Sequence, residues 1–172
     1  MMSLKDVLRA VCRRQHYELL DLCPELRVDD ARPDRDTLGQ RLTALWLPDE
    51  VIAYIGLAGT SLRSRVRAYY STPLGARRPH AGGWPLKTLS NLGKLWVHFA
   101  ACSDPCDAEL EMLGAFQAAV SASSRAALQD PELPIPFANL EWAKGQRKRH
   151  GITGAREPAR PARALGAATR VI

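Results

Sequence analysis

Two clusters in this chain combine residue types that handle phosphate and protons. Arg63, Arg65 and Arg67 stand close together, and Arg77, Arg78 and His80 follow a few residues later. A guanidinium donates two parallel hydrogen bonds to a phosphate and stays charged at any working pH. An imidazole titrates near neutrality and suits a general base. The stretch leading into these residues opens on Val51-Ile52-Ala53-Tyr54-Ile55, a β-branched apolar run that reads as a buried strand. Gly56 and Gly59 break it, and Thr60 or Ser61 can cap the helix that follows. On that helix Leu62, Val66 and Tyr69 (or Tyr70) share one face, Arg63 and Arg67 another, with Arg65 between. A strand, a glycine turn and an arginine-bearing helix start form a wall suited to a phosphate, because glycine lets backbone approach closely. Many α/β proteins contain such a unit, so the individual residues must narrow the reading.

Tyr54-Ile55-Gly56, followed by Leu62, Arg65, Val66 and an aromatic at Tyr69, resembles the second half of the GIY-YIG nuclease signature. The likeness extends to Pro79-His80-Ala81-Gly82-Gly83, to an acidic helix around Glu109 and to Pro136-Phe137-Ala138-Asn139-Leu140, and spans residues 42–142. It implies that Arg65 contacts the scissile phosphate and that Glu109 holds one divalent ion, Mg2+ or Mn2+. Glu109 precedes the apolar Met112, Leu113 and Phe116 at the family's spacing, whereas Glu111 points elsewhere on the helix. Gly56 and Asn139 would support the site, Asn139 through hydrogen bonds. The family's first tripeptide falls near Thr43-Ala44-Leu45, where both its glycine and its tyrosine are missing. That tyrosine commonly has the base role, so Tyr54, Tyr69 or His80 must serve here. The implied activity is metal-dependent hydrolysis of DNA phosphodiester bonds by water attack, with double-stranded DNA as the leading substrate. One rival is a catalytically inactive nucleic-acid-binding module of the same fold. Another is an interaction protein whose basic end docks an acidic partner.

The positioning elements follow from local signals. Ser3–Leu22 reads as an amphipathic helix that Pro24 ends, and Glu25–Thr37 as a linker. Leu42–Leu47 and Val51–Ile55 read as a hairpin around Pro48-Asp49, and Lys94–Ala101 as a third strand. Ser71–Trp84 is a loop, and Pro85–Asn91 a short helix that buries Leu86 and Leu89. Asp104-Pro105 starts the helix that carries Glu109, and the proline-rich stretch 130–137 leads to Asn139. The expected fold is α/β (α+β): a small three-stranded antiparallel sheet flanked by helices, with an N-terminal helical extension. The expected organisation is an extension and linker at 1–37, a core at 38–142 and a basic, disordered tail at 143–172.

A chain of 172 residues holds one domain with a real core. The net charge of +6 is concentrated at the end: Lys144, Arg147, Lys148, Arg149, Arg156, Arg160, Arg163 and Arg170 face a single acid, Glu157. Such a segment adds sequence-independent phosphate affinity. Together with Arg63, Arg67, Arg77 and Arg78, the bases Lys144, Arg147, Lys148 and Arg149 make up the expected nucleic-acid surface. Cys12, Cys23, Cys102 and Cys106 lack the two-residue spacing of a zinc knuckle and read as reduced thiols. The apolar runs are too short to span a bilayer, and charges punctuate the first 20 residues, so the expected compartment is the cytoplasm.

Overall fold

Side-chain caps set the helices. The structure, a computed structural model, describes residues 16, 18–80, 82–90, 92–142 and 145–156. Helix α1 (Arg35–Thr43) starts after Asp34, whose carboxylate accepts from Thr37 N at 2.7 Å. Helix α2 (Leu62–Ser71) starts after Ser61, whose hydroxyl accepts from Ser64 N at 3.3 Å. Helix α3 (Pro105–Ala119) starts after Asp104, which accepts from Cys106 N and Asp107 N, with Pro105 in the first turn. Helix α4 (Ala122–Ala126) starts after Ser121 in the same way. Each cap satisfies amide groups that the helix itself leaves without partners. Residues 18–22 are also helical and stop before Pro24, and Trp84–Thr88 and Leu92–Lys94 are single 3-10 turns.

The described residues contain one sheet, a two-stranded antiparallel pair. Strand β1 (Arg27–Val28) lies against β2 (Ile152–Thr153), with Arg27 opposite Thr153 and Val28 opposite Ile152. Two apolar clusters form the interior. The larger gathers Leu26, Leu38, Leu42, Leu45, Trp84, Leu86, Leu89, Phe137 and Ile152. The smaller joins Leu47, Ile55, Leu113, Phe116, Val120, Leu128 and Ile135.

This corrects the expected three-stranded sheet. Leu42 and Thr43 close helix α1, and Leu45 and Leu47 are buried in the turns beyond it. The spacing of Leu38, Leu42 and Leu45 is helical, and the cap at Asp34 extends the helix into what reads locally as a strand. The other two runs thereby lose the neighbour on which a sheet would build. Val51–Ile55 lies outside any ladder, and Val51 is 92% exposed. Residues 95–101 are likewise unpaired, with Trp96 89% and Phe99 76% exposed. A strand needs both a hydrogen-bonded neighbour and a face to bury. Residues 95–101 have no ladder partner and expose nearly every side chain, and Val51–Ile55 buries Ile55 and bonds to residues 138 and 139 without forming a ladder.

Three expectations lie outside the described residues: most of the N-terminal helix with Ser3, Lys144, and the tail beyond Arg156. Residues 145–156 belong to the core, with Ile152 and Ala155 buried. Among the described residues no helix is long and apolar enough to cross a membrane.

Candidate functional site

The site begins with a side chain substituting for a strand. Asn139 is buried, its Oδ1 accepting from Ile55 N at 2.9 Å and its Nδ2 donating to Ile55 O at 2.8 Å. Ala138 N adds a bond to Ala53 O at 2.9 Å. The amide thus satisfies both backbone groups of one residue, as a neighbouring strand would, and fixes the segment that presents Tyr54. The phenol ring then lies over glycines. A Cβ at Gly56 would fall 2.5 Å from Tyr54 Cε1, and one at Gly83 would fall 3.2 Å from Cε2. Gly83 also has φ +63°, a left-handed conformation that suits glycine.

Helix α2 reaches the same place from the other side. The Tyr69 hydroxyl donates to Gly83 O at 3.1 Å and ties the 82–83 turn to the helix. Thr72 Oγ1 donates to Ala68 O at 2.7 Å and accepts from His80 N at 2.9 Å, which fixes His80 at the helix end. A methyl group on Gly82 would lie 3.2 Å from His80 Nε2 and 3.6 Å from the Tyr54 hydroxyl, so imidazole and phenol flank one point.

Arg65 links these groups electrostatically. Burial raises the Tyr54 pKa, with the charge and hydrogen bond of Arg65 acting against it and the Glu109 charge adding to it. Burial also lowers the His80 pKa below its usual 6.5, and the positive charges of Arg65 and Lys87 add to that effect. Glu109, half-buried on α3, has its pKa raised by burial, opposed by Arg65 and by the Leu57 amide that donates to it. One exposed guanidinium therefore acts on a phenol, an imidazole and a carboxylate drawn from three separate stretches of chain. Tyr69 is different: burial pushes its pKa far up, and its hydroxyl is occupied by Gly83. Its observed role is to hold the site together.

Lys87 also belongs to this cluster. Its ammonium donates to Tyr69 O and Thr72 O and lies 4.3 Å from the centre of the Tyr69 ring. It closes the C-terminal end of α2, where cations are favoured. A lysine in a short helical turn carries no pattern that would mark it. Beside the cluster opens a cavity of about 690 Å3, lined by Tyr54, Gly82, Gly83, Glu109, Asn139, Trp142, Arg147, His150 and Arg156, among others.

The expected basic surface divides. Arg63, Arg67, Arg77 and Arg78 are exposed, as is Arg147, whose Nε lies 3.9 Å from Glu141. Lys148 requires a correction: it is buried, and its ammonium donates to Ile135 O at 3.0 Å and Pro136 O at 2.8 Å. The carbonyls of this proline-rich turn lie outside any ladder; Pro136 O also accepts from Asn139 N at 3.0 Å, and the lysine adds donors to it and to Ile135 O. Burial brings its pKa down to about 7, against the opposing pull of Asp130. Arg149 donates through its backbone N and its guanidinium to Asp130, at 2.8 and 2.8–3.1 Å. Its fork is therefore engaged within the chain.

Among the described residues no group of three or more His, Cys, Asp or Glu side chains converges as a metal cage. Glu109 offers one carboxylate on the cavity wall. That fits Mg2+ bound through one carboxylate, with water and substrate phosphate completing its octahedron. Neither a protein-family model, nor a curated protein, nor a solved structure matches the chain.

Proposed function

We propose that this chain is a divalent-metal-dependent endonuclease, a divergent relative of the GIY-YIG nucleases, that hydrolyses DNA phosphodiester bonds by water attack. What carries the reading is that Arg65 acts at once on Tyr54, His80 and Glu109 beside one cavity. The resemblance rests on these residues and their neighbours, with the sheet of that family unformed.

Arg65 clamps the scissile phosphate and stabilises the charge that builds on it. His80, with its lowered pKa, is neutral at pH 7 and takes the proton of the attacking water. Tyr54, with its raised pKa, keeps its proton and orients the water or a phosphate oxygen by donating a hydrogen bond. Glu109 holds Mg2+ or Mn2+, which when bound neutralises charge on the phosphate and the leaving oxygen. Arg63, Arg67, Arg77, Arg78 and Arg147 supply backbone phosphate contacts on the exposed surface. The compartment we assign is the cytoplasm, which keeps exposed thiols such as Cys102 and Cys106 reduced.

The test is nicking of supercoiled plasmid with Mg2+ or Mn2+ by the wild type, Arg65→Ala and Glu109→Gln. Each variant should lose roughly 100-fold or more in rate, the size of effect seen when a preorganised charge at the transition state is removed. Both should stay folded, because neither side chain is part of the apolar interior. Undiminished cleavage by Arg65→Ala would overturn the assignment. Salt-dependent DNA binding by a wild type that never cleaves would establish the inactive binding module instead.

A further inference from the structure

The cavity beside the cluster is larger than a phosphate clamp requires. At about 690 Å3 it falls in the range, roughly 300–1,000 Å3, that encloses a small molecule of nucleotide size. Its walls come from three parts of the chain. Tyr54 and Gly83 give one, Glu109 on α3 a second, and the segment after Asn139 the third. That third wall contributes Trp142, Arg147, His150 and Arg156, and of these only Arg147 has a part in the proposed function, as a phosphate contact.

We infer that this cavity receives an unpaired nucleotide of the DNA strand next to the scissile phosphate, with its base stacked on Trp142 and its phosphates met by Arg147 and Arg156. The inference rests on the nuclease reading and specifies its substrate as DNA with a single-stranded element. Trp142 is a fixed platform. It is half-buried against the smaller apolar cluster, and its Cη2 would lie 3.6 Å from a Cβ at Gly114. Its amide donates to Gln146 O at 3.0 Å, and the backbones of Glu141 and Arg147 form an isolated bridge, so Trp142 and Arg147 are brought close along the chain. The contact between Arg147 and Glu141 is 3.9 Å long and both side chains are well exposed, so it does little to restrain the guanidinium. His150 Nδ1 accepts from Ile152 N at 3.0 Å, which assigns the proton of the neutral ring to Nε2 as a further donor.

An aromatic face, two guanidiniums and a ring N–H match one base with its flanking phosphates. A continuous duplex keeps its bases stacked and paired and presents mainly its phosphate backbone outside the grooves. It would leave such a cavity unfilled. An overhang, a flap or a flipped nucleotide fills it.

The experiment measures binding of the full chain by fluorescence anisotropy in EDTA, using an end-labelled single-stranded oligonucleotide and the fully paired duplex of the same length. Cleavage is measured separately with Mg2+. The single strand should bind about tenfold or more tighter than the duplex. Trp142→Ala should weaken the single strand by roughly 5- to 100-fold, the effect of losing one stacked base, and leave the duplex unchanged. Because Trp142 also packs on apolar residues, the exposed Arg147→Glu is the second variant, and it should weaken single-strand binding without loss of fold. Equal affinity for the two DNAs, or folded variants that bind the single strand as the wild type does, would overturn the inference even if cleavage is found. Preserved single-strand preference in a protein that never cleaves would leave the inference standing and remove the nuclease reading.

Discussion

His80 and Tyr54 have opposite protonation tendencies within reach of one point. The His80 pKa lies below 6.5, because of burial and then Arg65 and Lys87. If the neutral ring is the base, the cleavage rate rises with pH through that lowered pKa and is level near pH 7. Lys87→Met removes one neighbouring positive charge, so the acid limb of the rate profile should move to higher pH. An NMR titration of the His80 ring should move with it, and an unmoved limb would exclude His80 as the base. A second histidine governs stability. His16 is buried, its Nε2 has no hydrogen-bond partner among the described residues, and its pKa falls from 6.5 to about 4, through burial and then Arg35. Between those values the unfolded chain binds more protons than the folded one. The stability is therefore complete above pH 6.5 and is lost as pH falls towards 4, by about 3 kcal/mol. Urea unfolding at pH 7 and pH 4.5 checks this, and His16→Gln should flatten the difference.

At the scale of elements, what the sequence reveals depends on how local the signal is. Ser61 and Asp104 mark the starts of α2 and α3 because a cap acts within three residues of itself. Leu42–Leu47 misleads because a short apolar run satisfies helix and strand alike, and the cap that decides it lies upstream at Asp34. Lys148 is illegible for a related reason. Lysine is rarely buried, and the carbonyls of residues 135 and 136 that it serves are distant in sequence. Tyr54, Arg65 and Glu109 could be picked out as letters, yet the device that positions Tyr54 is an amide pairing between Asn139 and Ile55 that no periodicity encodes. Asn139→Ala would leave a buried N–H and C=O without partners, and should cost about 2–4 kcal/mol in denaturant unfolding. If Tyr54 depends on that clamp, the same variant loses cleavage even at temperatures where it remains folded.

For the whole molecule, residues 145–156 separate two meanings of the basic end. Truncation after Trp142 removes Lys148, Ile152 and strand β2, and should abolish cooperative thermal unfolding. Truncation after Arg156 removes Arg160, Arg163, Arg170 and Glu157 and leaves that packing in place. The slope of log affinity against log salt should then fall by roughly two to three units, while turnover at saturating DNA is preserved. An unchanged slope would confine phosphate contact to the retained bases, Arg63, Arg67, Arg77, Arg78, Arg147 and Arg156.

The pairing of β1 with β2 has a consequence for the order of events in the cell. Arg27–Val28 finds its partner at Ile152–Thr153, so the ladder closes over nearly the whole described chain. A ribosome delivers residues from the N-terminus at about 5–20 per second, and each nascent chain must therefore keep β1 unpaired for roughly 6–25 seconds until β2 emerges. Through that interval the buried ammonium of Lys148 is likewise not yet in place over the carbonyls of residues 135 and 136. The two-stranded ladder is therefore a late event of synthesis, closed only when the C-terminal segment has been made.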